Sequence, residues 1–366
     1  MMTAATLDRF DATITRLGTA LTPSGDPTEA EGVLNPALGV SRAGEAILYP
    51  RCVAAGNISR VGRVRVHRNG DAVTFERDGF ALVPEAPYER RSEPGGEGCE
   101  DPRVTFVPVL DAYVMAYTAF GPIGPRIALA ISRDGYDWER MGLVDFSATG
   151  LPNGDDKDAA FFPEPVRSPG GEVCLAFYHR PMLHISTVDG HAAVPTILDM
   201  SPRDRESICI AFVPLDAVLA DRRALLKVVE SHTVLSPHGT WGRIKTGGGT
   251  PPVRIAEGWF SIFHGVDAIP HENGYAMRYS AGYVVHDIDE PTQVLFRSDA
   301  PVMVPEGDDE CIGIIGNVVF PTGILAIDDR TFEFYYGMAD TRIGRAQLKL
   351  APAAANAETE TGENAA

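Results

Sequence analysis

Residues 131–144 read ISRDGYDWERMGLV, and this stretch predicts the fold. A β-forming segment ends in a polar turn that contains Asp-Gly, and a tryptophan follows before the next apolar segment. Weaker copies of the same order, with Trp or Tyr after the turn, occur elsewhere in the chain. A recurring unit of this kind indicates a repeat architecture built from short strands.

Short β-forming runs recur along most of the chain, and Gly, Pro and Asp separate them. The runs include AILYPRCVAAG (46–56), AYVMAYTAF (112–120), VCLAFYHR (173–180) and WFSIFHGV (259–266). The chain has 37 Gly and 28 Pro, so turn-forming residues are frequent. Many short strands separated by turn signals predict an all-β architecture. A short helical turn or excursion is predicted near 202–230.

The number of predicted strands distinguishes a propeller from a sandwich. Roughly twelve or more strands over about 320 residues exceed the seven to nine strands of one sandwich. They fit four-stranded blades of about 40–50 residues each, and five such blades fill the chain. We therefore predict a five-bladed β-propeller. In this fold the inner strands surround one central channel, where residues far apart in sequence meet.

The two ends of the chain differ from this pattern. Apolar residues near the N-terminus recur every three to four positions, which is typical of a helix. They are Leu7, Phe10, Ile14, Leu17 and Leu21. The final segment, APAAANAETETGENAA, lacks aromatic and large aliphatic residues and is predicted to be disordered. We therefore divide the chain into a helical extension (1–30), a catalytic propeller (31–350) and a disordered tail (351–366).

Composition limits the class of protein and its partners. The 366 residues carry a formal charge of −18 with a pI of about 4.9, which argues against nucleic acid and anionic membrane as partners. No run of 18 apolar residues predicts a transmembrane helix. Charged residues interrupt the N-terminal segment, which argues against a secretory signal. Five cysteines without a CxxC pair favour reduced thiols in a cytoplasmic protein.

Four basic side chains stand out against this acidic background, each in a segment dense with Gly, Pro or aromatic residues. They are Lys157 in KDAAFFPEP, Arg180 in FYHRP, Lys245 in IKTGGGTPPVR and His264 in FSIFHG. Arg and Lys recognise phosphate by charge-assisted hydrogen bonds, so such a cluster predicts a small dianion as ligand. The glycine run would let backbone approach that ligand closely. Taken singly, each segment is equally typical of surface charge beside core aromatics, or of a turn.

Asp101 in GCEDPRV is the candidate acid. A carboxylate held at the start of a strand can act as a general acid if its pKa is raised. Asn35 and Arg51 near the N-terminus, and Phe320 and Asp340 near the C-terminus, suit a sugar, since aromatic rings stack on its C–H face and polar groups bond its hydroxyls. The motifs GxSxG, HExxH, GxGxxG and the P-loop are absent, and we predict no metal site.

Eight segments in order are similar to glycoside hydrolase family 130, from about residue 34 to residue 345. They are NPA, EDPR, KDAAFFPEP, HRP, KTGGGTPP, FHG, NVVFPTG and YYGMADT. The resemblance implies a five-bladed β-propeller and inverting phosphorolysis of short β-mannosides. The implied products are α-mannose 1-phosphate and a shortened acceptor. A minority of the family are β-mannosidases that use water.

The resemblance also implies residue roles. Asp101 matches the general acid, which in this family passes its proton through the 3-hydroxyl of the bound mannose. Phosphate-binding positions match Lys157, Arg180, Lys245 and His264. Substrate-binding positions match Asn35, Arg51, Arg103, Tyr279, Phe320 and Asp340. The implied co-substrate is inorganic phosphate, without a metal or organic cofactor. Two features depart from the pattern: Lys157 stands where several relatives have Arg, and KTGGGTPP replaces GAGPPP.

Phosphorolysis and hydrolysis need different groups. An inverting hydrolase needs a second carboxylate to activate water, whereas phosphate is already anionic and needs cations to hold it. The basic positions therefore favour a β-mannoside phosphorylase. The alternatives are a β-mannosidase of the same fold, a carbohydrate-binding propeller without turnover, and an unrelated five-bladed glycosidase with a carboxylate triad. Whether the protein forms a homo-oligomer is left open.

Overall fold

The fold is built mainly from antiparallel strands that pair with their neighbours in sequence, which confirms the all-β prediction. A computed structural model of the protein describes residues 10–70, 72–151, 153–183, 193–272 and 274–351. The first strand is β1 (Ala12–Leu21). Its pairing partner is the last strand of the chain.

One eight-stranded sheet follows, and it consists of two groups of four consecutive strands. The first group is β2 (Gly32–Val40), β3 (Ala46–Ala54), β4 (Ile58–Asn69) and β5 (Ala72–Leu82). The second group is β6 (Glu97–Val107), β7 (Ala112–Gly121), β8 (Gly124–Ser132) and β9 (Glu139–Leu143). A short parallel pairing of Ile58 with Glu97 and Ser59 with Gly98 joins the two groups.

The third and fourth groups are separate sheets. The third has the order β10-β12-β13-β14, with β11 paired to β12. Its strands are β10 (Asp156–Phe161), β11 (Val166–Arg167), β12 (Val173–Pro181), β13 (Ile208–Pro214) and β14 (Glu230–Leu235). The fourth has the order β15-β17-β18-β19, with β16 paired to β17. Its strands are β15 (Lys245–Gly247), β16 (Val253–Ile255), β17 (Gly258–His271), β18 (Gly274–His286) and β19 (Val294–Arg297).

Short helices lie between the strands. The α-helices are α1 (Ala193–Asp199), α2 (Leu215–Ala220) and α3 (Gly307–Cys311), and the 3-10 turns are Pro27–Glu29, Pro87–Glu89, Pro108–Leu110, Ser147–Thr149, Pro202–Asp204 and Arg222–Leu226. Helix α2 and the turns on either side of it confirm the predicted helical excursion near 202–230. None of the helices in the described ranges is long and apolar enough to cross a bilayer.

The fifth group combines the two ends of the chain. It contains β20 (Val319–Ala326), β21 (Thr331–Met338) and β22 (Arg342–Leu350), in the order β1-β22-β21-β20. Strand β1 runs antiparallel to β22, from the pair Ala12–Leu350 to the pair Leu21–Ile343. The N-terminal strand therefore completes the last sheet.

The predicted N-terminal helix is wrong for residues 12–21, which form β1. Leu7, and residues 352–366 of the predicted disordered tail, lie outside the described residues. The physical reason is the unpaired edge of β22, whose backbone groups bond β1. Phe10 and Ile14, four residues apart, have a spacing that suits one face of a helix or of a strand, and both pack against the same hydrophobic cluster. Phe10 is 5% exposed and Leu17 is 40% exposed, although a helix would place both on one face.

Hydrophobic clusters lie between successive groups in the described part of the chain. Tyr49 and Met115 belong to the cluster between the first and second groups, and Val114 and Phe177 to the cluster between the second and third. Tyr178 and Trp259 lie between the third and fourth groups, and Phe260 and Phe332 between the fourth and fifth. Tyr335 and Leu48 belong to the cluster between the fifth and first groups. Each group thus packs against both neighbours, and the last group packs against the first.

Phe10→Ala tests the strand assignment of the N-terminal segment. The Phe10 ring lies 5.7 Å from the Phe296 ring and 6.2 Å from the Tyr283 ring, centre to centre. Its loss should lower the free energy of unfolding by about 3 kcal/mol, whereas Leu17→Ala should change it by less than about 0.5 kcal/mol. Chemical denaturation measures both values. Equal losses would support the helical alternative.

Candidate active site

Ten of the eleven predicted site residues line one cavity of about 500 Å³. They are Asn35, Arg51, Asp101, Lys157, Arg180, Lys245, His264, Tyr279, Phe320 and Asp340. The volume lies within the usual range of small-molecule sites, about 300–1,000 Å³. These residues come from all five strand groups, so the fold brings together positions that are far apart in sequence.

Arg103 is the predicted residue that does not line the cavity. Its side chain is buried behind the wall, where Nη1 donates to the Asp101 carbonyl at 2.7 Å and Nε donates to the Gly249 carbonyl at 2.6 Å. The guanidinium carbon also lies 5.6 Å from the centre of the Phe320 ring. Arg103 therefore supports the cavity wall, and its predicted direct contact with substrate is not supported by its position.

A backbone bulge recurs in the first strand of three successive groups. At each bulge two residues face one residue of the next strand, and the first of the two is Asn35, Asp101 or Asp158. Their φ angles are 44°, 46° and 63°, in the left-handed region that Asn and Asp tolerate better than most residues. All three line the cavity. The bulges thus place three polar side chains in the cavity wall.

Asp340 reaches the cavity from a tight turn between β21 and β22. Thr341 N donates to the Met338 carbonyl at 3.0 Å, and the two central residues, Ala339 and Asp340, have φ angles of 46° and 49°. Two left-handed residues in succession are the signature of a type I′ hairpin turn. An alanine in this conformation is strained, and strain of this kind is concentrated at functional sites.

Glu100 links two cations on one side of the cavity. Its carboxylate accepts from Arg51 Nη2 at 2.8 Å and from Lys157 Nζ at 3.0 Å. Arg51 is fixed further by Ser59 Oγ and by Asn57 Oδ1, each at 2.9 Å. Because the Glu100 side chain is only 3% exposed, removal of either cation would leave a buried charge poorly compensated.

Asp101 lies beside this network and is ionised in the ligand-free protein. Asn35 Nδ2 donates to its Oδ1 at 2.8 Å, and Arg51 Nη1 lies 3.4 Å from the same atom. Burial favours the neutral acid, but Arg51, Lys157 and Arg103 outweigh it and hold the pKa of Asp101 below its usual value. The raised pKa that a general acid needs is therefore absent before ligands bind.

Asp340 has the opposite perturbation. Burial and the charge of Asp101 raise the pKa of Asp340 to about 6, and Arg51 and Lys157 offset this only in part. Two neighbouring carboxyl groups whose pKa values are driven apart commonly share one proton between them. Below about pH 6 that proton resides on Asp340 in the ligand-free protein.

Arg180 occupies another part of the wall between two carboxylates. Its Nε donates to Asp158 Oδ2 at 2.6 Å, and its Nη1 contacts Glu206 Oε2. Although burial favours the acid form of Asp158, Arg180, His264 and Arg103 hold its pKa well below the usual value. An anion that binds Arg180 must therefore coexist with two carboxylates.

His264 lines the cavity, but it is not the cation that the sequence analysis predicted. Burial, together with the nearby charges of Arg180 and Lys245, lowers the pKa of His264 to about 3 and outweighs the attraction of Asp158. The imidazole is therefore neutral at physiological pH. The predicted cluster of four basic groups is corrected to three cations, Lys157, Arg180 and Lys245.

Lys245 differs from the other cations because no carboxylate in the described ranges forms an ion pair with it. Its Nζ lies 5.4 Å from the centre of the Tyr279 ring, within reach of a cation–π interaction. Tyr279, Phe320 and His264 form an aromatic wall, with 4.4 Å between the His264 and Phe320 ring centres. A cation without a carboxylate partner is the natural contact for an anionic ligand.

The glycine run after Lys245 has a different role from the predicted one. A Cβ atom on Gly247 would lie 2.5 Å from Asp158 Oδ2 and 2.6 Å from His264 Nε2. A Cβ atom on Gly248 would lie 2.8 Å from the Asp158 carbonyl. The glycines therefore permit close packing of Asp158 and His264 against β15, rather than direct approach to a ligand.

Sequence reasoning assigned no role to Glu100, Asp158 or Glu206. Two of them stand next to residues that were chosen, in the pairs Glu100–Asp101 and Lys157–Asp158. The requirement that buried cations have buried anions could have identified these two. Glu206 has no such signal. In the described residues, no group of three or more His, Cys, Asp or Glu side chains is arranged to hold a metal ion.

Comparison with known proteins gives consistent matches. The family described as beta-1,4-mannooligosaccharide phosphorylase matches residues 210–352. A 1,2-beta-oligomannan phosphorylase of Thermoanaerobacter sp. (strain X514) is 33% identical over 306 residues, 83% of this chain and 85% of the relative. A beta-1,2-mannobiose phosphorylase of the same organism is 31% identical over 76% of this chain and 74% of the relative.

The fold is also shared with a solved structure. The beta-1,2-mannobiose phosphorylase of Listeria innocua, in complex with beta-1,2-mannobiose, superposes with a TM-score of 0.67 at 23% identity. The match covers 92% of this chain and 96% of the other.

Asp340→Asn tests the raised pKa of this carboxyl group. An unfolded aspartate has a pKa near 3.8, so folded Asp340 holds its proton more tightly. The stability of the wild type should fall as the pH rises from about 4 to about 6, because the unfolded state then releases its proton first. The variant has no such loss. The difference in free energy of unfolding, variant minus wild type, should therefore become about 2 kcal/mol more positive between pH 4 and pH 7.

Denaturant unfolding at each pH measures this difference. The control is Asp329→Asn, at an exposed position in the turn between β20 and β21. Its difference from wild type should stay within about 0.5 kcal/mol across the range. A flat profile for Asp340→Asn as well would show that the Asp340 pKa is not raised.

Proposed function

The chain belongs to glycoside hydrolase family 130, and on this premise we propose that it is a β-mannoside phosphorylase. It transfers the terminal mannosyl unit of a short β-mannoside to inorganic phosphate, with α-mannose 1-phosphate and a shortened acceptor as products. We infer β-1,2-linked mannosides as first-choice substrates, since two relatives carry that linkage in their names. The observation that carries the proposal is one cavity lined by a carboxyl pair and by the ammonium of Lys245, which forms no ion pair with any residue in the described ranges.

The proposed reaction is a single displacement at the anomeric carbon. A phosphate oxygen attacks this carbon from the face away from the leaving group and forms the new C–O bond. The glycosidic C–O bond breaks, its electrons pass to the leaving oxygen, and that oxygen takes a proton from the enzyme. Displacement from the far face converts a β-mannoside to an α-phosphate. The cations hold the nucleophile and offset its repulsion from Asp101.

Phosphate itself can supply the missing protonation of Asp101. The ligand-free Asp101 is ionised because three cations surround it. A bound phosphate brings negative charge to the same cavity and neutralises part of that field, which raises the pKa of nearby carboxyl groups. A proton taken up by the Asp101–Asp340 pair when phosphate binds can then reach Asp101, through water or through a hydroxyl of the sugar. Acid catalysis is thus coupled to the presence of the nucleophile.

The remaining cavity residues have proposed binding roles. Lys157, Arg180 and Lys245 hold phosphate, with His264 beside them. Asn35, Arg51 and Asp340 bond sugar hydroxyls, and Tyr279 and Phe320 supply an aromatic surface for the sugar ring. Arg103 supports this arrangement from behind the wall.

We infer that the strand groups are the blades of a five-bladed β-propeller. Two features support this inference: each group packs on both neighbours, and β1 completes the sheet that contains β20–β22. The five cysteines are free thiols, which supports a reducing, cytoplasmic location.

A β-mannosidase is the second candidate, and one contact favours it. Glu206 lies against Arg180, so a carboxylate is present beside a residue that is proposed to bind phosphate. A carboxylate in that place could act as a base toward water. Glu206 is ion-paired to Arg180, however, and Lys245 has no such partner among the described residues, which supports phosphate as the nucleophile.

A phosphate-dependence assay distinguishes the two functions. We expect β-1,2-mannobiose to be consumed only when phosphate is present, with mannose and mannose 1-phosphate formed in equal amounts. Chromatography of the products measures both sugars, and the anomeric phosphate is identified by phosphorus NMR. Two equivalents of mannose without phosphate would establish the hydrolase. Panels of 1,3- and 1,4-linked mannobioses serve as linkage controls.

Asp101→Asn tests the acid. The amide keeps the shape of the carboxyl group but cannot transfer a proton, so kcat should fall about 10²–10⁴-fold. Mannoside binding, measured by calorimetry, should change far less. Near-normal turnover would contradict the assigned role. Binding without turnover in the wild type would instead establish the carbohydrate-binding alternative.

A further inference from the structure

Exposed isoleucines lie at the edge of the cavity, in the segment CIGIIGN (311–317) between α3 and β20. Ile312, Ile314 and Ile315 are 63%, 60% and 44% exposed. Ile314 and Ile315 line the cavity, and we call these two residues the rim. A single exposed apolar residue needs no explanation, but several together beside a cavity mark a surface that binds something.

The cavity changes in character from its interior to its mouth. The polar residues Asn35, Asp158 and Arg180 are at most 4% exposed. Apolar residues that line the same cavity are more exposed, since Phe120 at the end of β7 and Met182 just after β12 are half-buried. The rim therefore belongs to an apolar mouth above a polar interior.

The rim is packed against the turn that carries Asp340. Ile314 N donates to Thr341 Oγ1 at 3.2 Å, directly after Asp340 in the chain. Gly313 has no room for a Cβ atom, which would meet the carbonyl oxygen of Ala339 in the same turn. The rim thus lies on the side of the cavity that holds the carboxyl pair.

Both ends of the isoleucine segment are fixed. Glu310, at the end of α3, accepts from Arg16 Nε at 2.9 Å and from Tyr336 Oη at 2.8 Å. At the other end, the Asn317 carbonyl accepts from Tyr279 N at 2.9 Å. The apolar side chains are therefore held in place before a substrate arrives, which reduces the ordering cost of binding.

The proposed reaction decides which part of a substrate meets the rim. In a single displacement the leaving oxygen lies on the side of the acid, and the nucleophile approaches from the other face. The rim adjoins the turn of Asp340, whereas phosphate is assigned to Arg180 and Lys245. The rim therefore faces the aglycone, which is the part of the mannoside that leaves.

The side chains of the rim favour one kind of aglycone. Sugar rings in binding sites pack on flat aromatic rings and bond polar groups. A branched aliphatic side chain offers neither a flat ring nor a hydrogen-bonding group. It gains free energy only when apolar surface is removed from water, which an aliphatic chain does along its whole length.

We propose that the leaving-group side of the cavity binds an aliphatic aglycone, so that the substrates include β-mannosides of aliphatic alcohols. The inference rests on the proposed function. A phosphate oxygen forms its bond to the anomeric carbon, and the bond from this carbon to the aglycone oxygen breaks. That oxygen keeps the bonding electrons, takes a proton from the enzyme and leaves as the alcohol. The mannosyl side of the site is unchanged, so a sugar also remains an acceptor.

A series of alkyl β-mannosides is the first test. Methanol and hexanol are similar in acidity, so methyl and hexyl β-mannosides differ mainly in the apolar surface beside the bond that breaks. Release of mannose 1-phosphate measures turnover. From the methyl to the hexyl compound kcat/KM should rise at least about tenfold, since each buried methylene group favours binding several-fold.

β-1,2-Mannobiose is assayed in parallel, with and without phosphate. Phosphate-dependent turnover of mannobiose, with no rise along the alkyl series, would overturn the inference. Absence of phosphate-dependent turnover for every mannoside would contradict the proposed function instead.

The double variant Ile314→Ser, Ile315→Ser removes the apolar surface at exposed positions, where substitutions change stability little. Its hexyl-to-methyl ratio of kcat/KM should fall to within about threefold of unity. The control is Ile327→Ser, in the turn between β20 and β21, where the isoleucine is 50% exposed and does not line the cavity. The control should keep the wild-type ratio. A wild-type ratio in the double variant would contradict the assignment.

A second copy of the chain is the alternative occupant of the rim. Sedimentation of the wild type and of the double variant at the same concentrations measures the oligomeric state. We expect the same state for both proteins. A different state for the double variant would assign the rim to a contact between copies and overturn the inference.

Discussion

The site depends on a backbone distortion that recurs in the first strand of three of the strand groups. A regular strand directs successive side chains to its two faces, so it cannot also aim a polar group along its own edge into a central cavity. The bulges at Asn35, Asp101 and Asp158 do this by adding a residue in a left-handed conformation. Asn and Asp tolerate that conformation better than branched or bulky residues, which explains why the polar residue at each bulge is of this type.

Buried charge is the second constraint, and it follows from the first. Carboxylates delivered by the bulges need cations, and the structure provides them as an interlocked network. Glu100 bridges Arg51 and Lys157, and Asp158 holds Arg180. Such a network is rigid because the loss of one member leaves another charge uncompensated. Among the described residues, its balance nevertheless leaves two cavity groups without an ion-pair partner: the carboxyl group of Asp340, whose pKa is raised, and the ammonium of Lys245. These groups are available to substrates.

Much of this arrangement could be predicted from the sequence. Strand runs such as VCLAFYHR were recognisable because a short β-forming apolar run and the turn residues that bound it are local signals, and eight ordered segments located the cavity. The N-terminal helix was mispredicted because Phe10 and Ile14, four residues apart, fit both periods, and only the free edge of β22 decides between them. The charge state of His264 was mispredicted because it depends on burial and on the nearby charges of Arg180 and Lys245, which together lower its pKa. Neither can be inferred from the local sequence.

The net charge of −18 presents a physical difficulty for any enzyme that must bind a dianion. Charges beyond about 8–10 Å are largely screened at physiological salt, so the surface acids contribute little inside the cavity. What matters is the local sum, and there most cations are already matched by Glu100, Asp158 and Glu206. The group that remains without a carboxylate partner among the described residues, Lys245, is therefore the contact we expect for an anion. A cavity balanced in this way would hold phosphate only moderately tightly. The mannose 1-phosphate formed from it could then dissociate, as turnover requires.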